Sequence, residues 1–445
     1  MQGAGWRFMR IGLISYEYPP QQGMGGVGTY MFRLAGALGR AGHEVHVITG
    51  PSDRAPVQQA NVTLHRIAAE FEPESGRVTR WLYWHAIAEP MCKCNPIIWH
   101  WLRWNFASYE AIRRIDAEHP FDVVEAPEHA ANGWMAGRIH RWPIVIRMHC
   151  PWELFVRINR VPFNPMDRLM SMLERRTVAN YADCLTVPSE AMKREVEKSW
   201  KLRRPPVIIP NFMNVPIAPA ALPSDDGPQR IICAGRIEPL KGQDTLAKAF
   251  ALVAKKNPRA ELWILGPDRW GTTSFAELLP KIVPDAAIRA RIHMPGLVPL
   301  SAMGEHVRNA RVAVVASIGF ESFSYSTLEA MAAARPVIVT RTGALPELIE
   351  HERSGLVVTP DEPHEMAAAL ERFLSDRGLA ESCGLAAFAK AKGQYDTSVV
   401  LPRMMEAYEA AADFFYGDRN VPTPLKPRRR HLRLQQPESA LASVA

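Results

Sequence analysis

The chain has 445 residues, which is enough for two ordinary domains, each with a substantial core. A hydrophobic content of 47% with 22% charged residues is typical of a soluble globular protein, and no uninterrupted apolar run of about 18 residues predicts a membrane span. The formal net charge of +7 favours anionic partners, such as nucleotide phosphates, anionic lipid or nucleic acid.

The six cysteines are scattered along the chain, and only Cys92 and Cys94 are close in sequence. Because no second pair completes a zinc site, we predict reduced thiols, with Cys184 and Cys233 packed in or beside strands. No signal peptide is evident, so we expect a cytoplasmic protein.

A glycine-rich loop follows the first predicted strand, residues 10–15, and precedes a helix at 29–40 and a second strand at 44–49. The loop glycines match the spacing of the dinucleotide fingerprint. We reject that interpretation, because residues 16–22 separate the glycines from the strand and no acidic residue ends the second strand. Consecutive glycines at a helix N-terminus still let backbone N–H groups approach an anion.

Residues 81–106 are rich in tryptophan and other aromatic residues, with arginine and lysine among them. We favour a pair of amphipathic helices packed on the sheet. The alternative is a face that contacts lipid headgroups or a glycan acceptor, since tryptophan and arginine suit both.

Strands are predicted next at 121–125, 143–148, 184–187 and 206–209, with helices at 165–179 and 189–198. His149 directly follows the second of these strands. Ligands of open α/β sheets bind at the carboxyl ends of the strands, so His149 is a functional candidate. The proline-punctuated segment 211–228 has no periodicity and is predicted to be an interdomain linker.

A second strand and helix series occupies residues 229–395. We therefore predict an α/β protein with two Rossmann-like parallel-sheet domains, 1–210 and 229–395, facing a shared cleft. The last helix, 396–416, is expected to pack back on the first domain. The proline-rich, basic tail 417–445 is predicted to be disordered and could also contact anionic headgroups.

Two glutamates lie at the carboxyl end of a predicted strand, 312–316. Glu321 falls in the loop after this strand, and Glu329 in the opening turns of the next helix. A carboxylate accepts two hydrogen bonds from a vicinal diol, so both could hold sugar hydroxyls. Alternatively, Ser326 and Glu329 have the spacing of a capping box, in which case Glu329 would only close the helix N-terminus.

Arg236 and Lys241 flank another strand-to-helix turn, residues 235–242, where the helix N-terminus adds its own positive end. With the two glutamates and the glycine loop, this chain resembles the retaining family-four glycosyltransferases of the GT-B fold. The resemblance extends from about residue 11 to about residue 415 and rests on three motifs in the right order.

The resemblance implies a role for each matching residue. The donor would be a UDP- or GDP-sugar, with no other cofactor and no metal. Its diphosphate would be held by Arg236 and Lys241, and the acceptor would be a glycan, a lipid-linked sugar or a small molecule. The remaining implied contacts are Glu329 with the ribose, Glu321 with the donor sugar, Gly26 and the Val27 amide with phosphate, His149 with the sugar pocket, and Val298 with the base.

Three positions depart from the family pattern. Ser324 stands where glycine is common, so its hydroxyl either donates to phosphate or holds the loop slightly back. Ala334 replaces a usual glycine at a helix end, which should cost some stability and no chemistry. Phe212 replaces the usual glycine after Asn211.

The implied chemistry breaks a glycosidic C–O bond and leaves a diphosphate, whose charge a fixed Arg, a Lys and a helix N-terminus can stabilise. No D-x-D motif is present, so no metal is expected there. The expected function is sugar transfer in surface polysaccharide or glycoconjugate synthesis. The protein is expected either in the cytoplasm or peripheral on the inner membrane face, with no nucleic-acid partner. Alternatives are an epimerase or phosphorylase of the same fold, or a non-catalytic glycan- or membrane-binding module.

Overall fold

The computed structural model describes residues 7–19, 25–68, 96–159, 162 and 165–417. Within them the strands form two sheets, one of seven strands and one of six, in which every pairing is parallel. The predicted α/β fold with two parallel-sheet domains is thus confirmed.

The first sheet has the order β3-β2-β1-β4-β5-β6-β7. Its strands are β1 (Arg10–Ile14), β2 (Glu44–Thr49), β3 (Val62–Arg66), β4 (Val123–Pro127), β5 (Ile144–Arg147), β6 (Cys184–Val187) and β7 (Val207–Ile208). Its helices are α1 (Gly26–Arg40), α2 (Pro96–Glu118), α3 (Trp134–Ile139), α4 (Trp152–Asn159), α5 (Pro165–Arg176) and α6 (Glu190–Ser199).

The second sheet has the order β10-β9-β8-β11-β12-β13. Its strands are β8 (Gln229–Ala234), β9 (Ala260–Leu265), β10 (Ile292–Gly296), β11 (Val312–Val315), β12 (Val337–Thr340) and β13 (Leu356–Val358). The helices that follow are α7 (Gln243–Lys256), α8 (Phe275–Ile282), α9 (Ala286–Arg289), α10 (Leu300–Arg308), α11 (Tyr325–Ala332), α12 (Leu345–Leu348), α13 (Pro363–Ser375), α14 (Arg377–Lys390) and α15 (Thr397–Gly417).

The central strands are buried on both faces, as their continuous apolar runs predict. Cys184 on β6 and Cys233 on β8 are buried as expected. The edge strand β3 was not predicted, because it is only half buried and lacks a continuous apolar run. The first helix also begins at Gly26 instead of residue 29, which brings its N-terminus into the glycine loop.

Part of the aromatic stretch belongs to helix α2, where Trp99 and Trp104 are buried against the sheet. Tyr16 meets Trp104 edge to face, with 5.1 Å between ring centroids. This part of the stretch therefore matches the packed-helix interpretation. Residues 81–95 and the tail from 418 lie outside the described residues. No helix within the described ranges is long and apolar enough to cross a bilayer.

Helix α15 returns from the second domain and lies against β4, β5 and β6 of the first sheet. Its Tyr408 hydroxyl donates to Glu125 on β4 at 2.5 Å, and Tyr30 of α1 donates to the same carboxyl group at 2.9 Å. Burial raises the pKa of Glu125, and these hydrogen bonds with the nearby Arg147 charge offset part of the rise. The linker enters this core through the buried Phe212, which accounts for the bulky residue where glycine is usual.

Ala334 ends helix α11 with a φ of 55°. This left-handed conformation favours glycine, and an alanine there costs roughly 1 kcal/mol. The structure thus gives the physical basis of the expected stability cost at this position.

Candidate active site between the two domains

A cavity of about 440 Å³ opens between the carboxyl ends of the two sheets. All of the predicted site residues line this one cavity, together with residues that were not predicted. The first domain contributes Gly26, Val27 and His149, and the second contributes Arg236, Lys241, Val298, Glu321, Ser324 and Glu329. The structure thus brings the predicted residues together, and their individual roles stay predictions.

Glu321 is buried in the cavity wall beneath two donors. The Lys241 ammonium lies 2.5 Å from its Oε1, and the Ser317 hydroxyl donates to the same oxygen at 2.5 Å. Arg236 is more exposed and lies 3.3 Å from Glu238. The cavity therefore contains one cation paired with a buried carboxylate, Lys241, and one paired with a less buried carboxylate, Arg236, whose side chain is 42% exposed.

Two glycines allow the loops behind these residues to approach each other. Gly242 has a φ of 64°, and a Cβ there would lie 2.1 Å from the Ala316 carbonyl oxygen. Gly343 has a φ of 52°, and a Cβ there would lie 2.1 Å from the Glu321 carbonyl oxygen. Any larger residue would displace the backbone after β11 at Ala316 or at Glu321, so the glycines permit the close packing of the loops that hold Lys241 and Glu321.

Glu329 does not close the helix that contains it, so the capping-box alternative is wrong. Helix α11 begins at Tyr325, and its N-cap is Ser324, whose Oγ accepts from the Thr327 amide at 3.2 Å. Ser324 also accepts from the Thr327 hydroxyl at 2.9 Å. Its hydroxyl oxygen is thus occupied in capping, which is why a serine is accommodated where glycine is common.

The Glu329 carboxylate instead reaches across the cavity to Arg33 on helix α1, 2.6 Å away. Both side chains are mostly buried, with 18% and 15% of their surface exposed. Burial raises the pKa of Glu329, and the Arg33 guanidinium offsets part of this effect. Arg33 also lies 4.4 Å from the centre of the Tyr325 ring. No sequence signal identified Arg33, because its partner is on the other domain.

His149 lies at the carboxyl end of β5 and lines the cavity, as its position in the sequence predicts. Burial and the nearby Arg147 charge lower its pKa well below the usual value, so its imidazole is neutral. Its Nε2 has no hydrogen-bond partner within the described part of the chain. A buried ring nitrogen of this kind is free to bond a ligand hydroxyl. His129, which follows β4 as His149 follows β5, also lines the cavity and was missed.

Two models of known families match most of the chain. "Glycosyltransferase Family 4" matches residues 24–215, and "Glycosyl transferases group 1" matches residues 228–376. The chain belongs to glycosyltransferase family 4. It is a GT-B enzyme of the class that uses nucleotide-sugar donors, and each family match lies on one of the two sheets.

This glycosyltransferase is 27% identical over 436 residues to a D-inositol 3-phosphate glycosyltransferase of Pseudarthrobacter chlorophenolicus, covering 92% of this chain and 97% of the relative. Its fold resembles that of sucrose-phosphate synthase from Thermosynechococcus elongatus, with a TM-score of 0.71, 20% identity, and coverage of 90% and 98%. It also resembles Anabaena HepE, solved in complex with UDP and glucose, with a TM-score of 0.66, 16% identity, and coverage of 90% and 100%.

A buried carboxyl group, Glu128, lies beneath the cavity floor. Its Oε1 accepts from the Cys150 amide at 2.7 Å, and its Oε2 has no hydrogen-bond partner among the residues described. Burial raises its pKa to about 7 from an ordinary value of 4.5. Between these two pH values the unfolded chain ionises while the folded chain keeps the proton, so the free energy of unfolding falls as pH rises.

We predict that Glu128→Gln removes this part of the pH dependence, because its amide keeps the acceptor oxygen and carries no charge. The fall in unfolding free energy between about pH 5 and pH 8 should be smaller in Glu128→Gln than in the parent, by an amount on the order of 3 kcal/mol. Urea unfolding across this range measures it, with the exposed Glu197→Gln as control. An unchanged slope in Glu128→Gln would contradict the buried neutral carboxyl.

A second prediction concerns the Arg33 and Glu329 pair. If Glu329 binds the ribose, a donor must first displace Arg33, so Arg33→Met should tighten nucleotide binding. If the competing ion pair contributes about 1 kcal/mol, its removal should lower the Kd for UDP or GDP roughly fivefold. The control is Arg40→Met, which changes an exposed arginine on the same helix.

Calorimetry with the ribonucleotide and its 2′,3′-dideoxy analogue measures both effects. The gain in Arg33→Met should appear only with the ribose hydroxyls present. Weaker binding in Arg33→Met, or an equal gain for the dideoxy analogue, would show that Arg33 does not compete with the ribose.

Proposed function

We propose that this glycosyltransferase retains the anomeric configuration of the donor and works without a metal ion. The donor is a UDP- or GDP-sugar, and the observation that carries the proposal is the convergence of Arg236, Lys241, Glu321 and Glu329 in one cavity. A module that only binds glycans has no need for cations placed for a diphosphate.

The cleavage step places negative charge on the leaving diphosphate. Lys241 and Arg236 approach it from the second domain, and the N-terminal amides of α1, at Gly26 and Val27, approach from the first. These groups stabilise the negative charge as it develops, as a divalent ion does in other transferases. The absence of a D-x-D motif from the sequence supports the same view.

The bond to the acceptor forms on the face from which the diphosphate leaves. The C–O bond between sugar and phosphate breaks, the acceptor oxygen bonds to the same carbon, and its proton passes to the leaving phosphate oxygen. Glu321, held by Lys241 and Ser317, orients the donor sugar and stabilises the positive charge on the ring. No covalent enzyme intermediate is required.

We place the acceptor among polyhydroxylated compounds: a glycan, a lipid-linked sugar or a small polyol. The relative named as a D-inositol 3-phosphate glycosyltransferase supports the last of these. Synthesis of a surface polysaccharide or glycoconjugate is the cellular process that we propose, with the enzyme in the cytoplasm. An epimerase would differ by releasing nucleotide without an acceptor. A phosphorylase would differ by needing inorganic phosphate.

We predict that Arg236→Ala and Lys241→Ala each lower turnover by about 100- to 1000-fold, because each removes a charge that stabilises the transition state. The control is Lys248→Ala, an exposed lysine on α7 that pairs with Asp244. Nucleotide release from UDP- and GDP-sugars is measured with and without polyol acceptors, after thermal-shift screening has selected the donor.

The same assay in saturating EDTA tests metal independence. Full activity is expected, and activity lost and then restored by Mg²⁺ or Mn²⁺ would overturn that part. Rates within threefold of the parent for both Arg236→Ala and Lys241→Ala would remove the proposed diphosphate site.

We also propose contact with an anionic membrane surface, supported by the basic residues between Lys426 and Arg433 and by the part of the aromatic, basic stretch 77–106 that precedes helix α2 in the sequence. Each basic residue near an anionic leaflet contributes about 1 kcal/mol, which salt screens. Anionic vesicles should co-sediment the full chain at low salt, and truncation after Tyr416 should weaken this. Equally negligible co-sedimentation of both chains would contradict the proposal.

A further inference from the structure

Three side chains that commonly bind metals meet at the end of the first sheet where the strands begin, opposite the cleft. Glu44 and His46 lie two residues apart near the start of β2, and His119 follows the end of α2. The Glu44 Oε1 lies 3.0 Å from the His46 Nε2 and 2.8 Å from the His119 Nδ1. All three candidate ligand atoms lie within 4.8 Å of one another.

In Glu44 and His46, the second polar atom, which points away from the cluster, already contacts another residue. The second oxygen of Glu44 accepts from the Arg10 Nε at 2.8 Å. The Nδ1 of His46 lies 3.0 Å from the Nε2 of His65 on β3, and the two rings are stacked with 5.2 Å between centroids. A metal-bound histidine usually donates its other ring N–H to an acceptor, which fixes the ring orientation. The His65 Nε2 can serve as that acceptor for His46.

We propose that this cluster binds one Zn²⁺ ion through Glu44 Oε1, His46 Nε2 and His119 Nδ1. Two imidazoles and one carboxylate form a donor set that Zn²⁺ uses, with the fourth tetrahedral position open. Each metal-bonding nitrogen must offer a lone pair, so any proton on the His46 Nε2 or the His119 Nδ1 has to move off that atom, to the other ring nitrogen or to solvent, when the ion enters.

The geometry needs only a small adjustment. Ligand atoms around a tetrahedral Zn²⁺ ion with bonds of about 2.0 Å are about 3.3 Å apart, slightly farther than the two distances seen. His119 can move outward because it lies beyond the end of its helix with 44% of its side chain exposed. His46 is buried at 5% exposure and supplies the fixed point.

The ion would join the end of α2 to β2. Because it lies at the amino ends of the strands, it is remote from the cleft at their carboxyl ends, and its role is to stabilise the fold. It is therefore compatible with a transfer reaction that needs no metal. A ligand that binds only the folded chain raises the midpoint of thermal unfolding by mass action.

Calorimetric titration of the full chain with Zn²⁺, after chelator treatment, tests the site. One ion should bind the parent, and His119→Gln and Glu44→Gln should each weaken the affinity by about tenfold or more. His65→Phe keeps the stacked ring but removes the nitrogen behind His46, and it should weaken Zn²⁺ binding within the same range. His364→Gln, which changes an exposed histidine on α13, is the control and should bind like the parent.

Two further measurements make the outcome decisive. Zn²⁺ should raise the melting temperature of the parent and of His364→Gln but not of His119→Gln, while transferase activity is the same in all three. X-ray absorption should show only nitrogen and oxygen ligands. Parent-like affinity in His119→Gln, equal losses in His364→Gln, or a sulfur ligand would overturn the proposal in favour of adventitious binding.

Discussion

A carboxylate buried between two domains must have a cationic partner, and this requirement organises the cleft. Glu321 and Glu329 both lie in the cavity wall, where isolated charges would be strongly unfavourable. Lys241 satisfies the first from within its own domain, and Arg33 satisfies the second from the opposite domain. Under the proposed donor contacts, nucleotide-sugar binding is an exchange of partners: ribose hydroxyls would replace Arg33 at Glu329, and phosphate would replace Glu321 at Lys241.

The junction of the domains also depends on a carboxylate, outside the cavity. Glu347 accepts from the amides of Glu190 and Ala191, at 2.9 and 2.6 Å, and so caps helix α6 of the other domain. The adjacent Ser189 hydroxyl donates to the Ser322 carbonyl oxygen at 2.8 Å. The loop that holds Glu321 is thus tied to the first domain, so the relative position of the two sheets and the shape of the donor site are coupled.

The sequence predicts features that depend on local pattern. Central strands such as β11 and β12 are continuous apolar runs, and loops at their carboxyl ends converge in any doubly wound sheet. This is why Glu321 and His149 could be assigned to one cleft before the structure. The edge strand β3 lacks such a run, since only one side of it pairs with a neighbour.

Partnerships across domains could not be predicted. Arg33 looks like any polar residue of an amphipathic helix, and no pattern around Glu347 in the sequence indicates a partner in the other domain. Ser326 and Glu329 had the spacing of a capping box, but the helix starts two residues earlier than that box requires, so Ser324 is the cap. The Glu329 side chain points instead toward Arg33, a cation 296 positions away in the chain. Spacing alone contains no information about such distant partners.

The most direct test is a crystal structure of the enzyme with its nucleotide-sugar donor. The account predicts the diphosphate between Arg236, Lys241 and the N-terminus of α1, the ribose hydroxyls on Glu329, and Arg33 turned away from that carboxylate. A nucleotide bound elsewhere, or one in the cleft with the Arg33 and Glu329 pair intact, would contradict it.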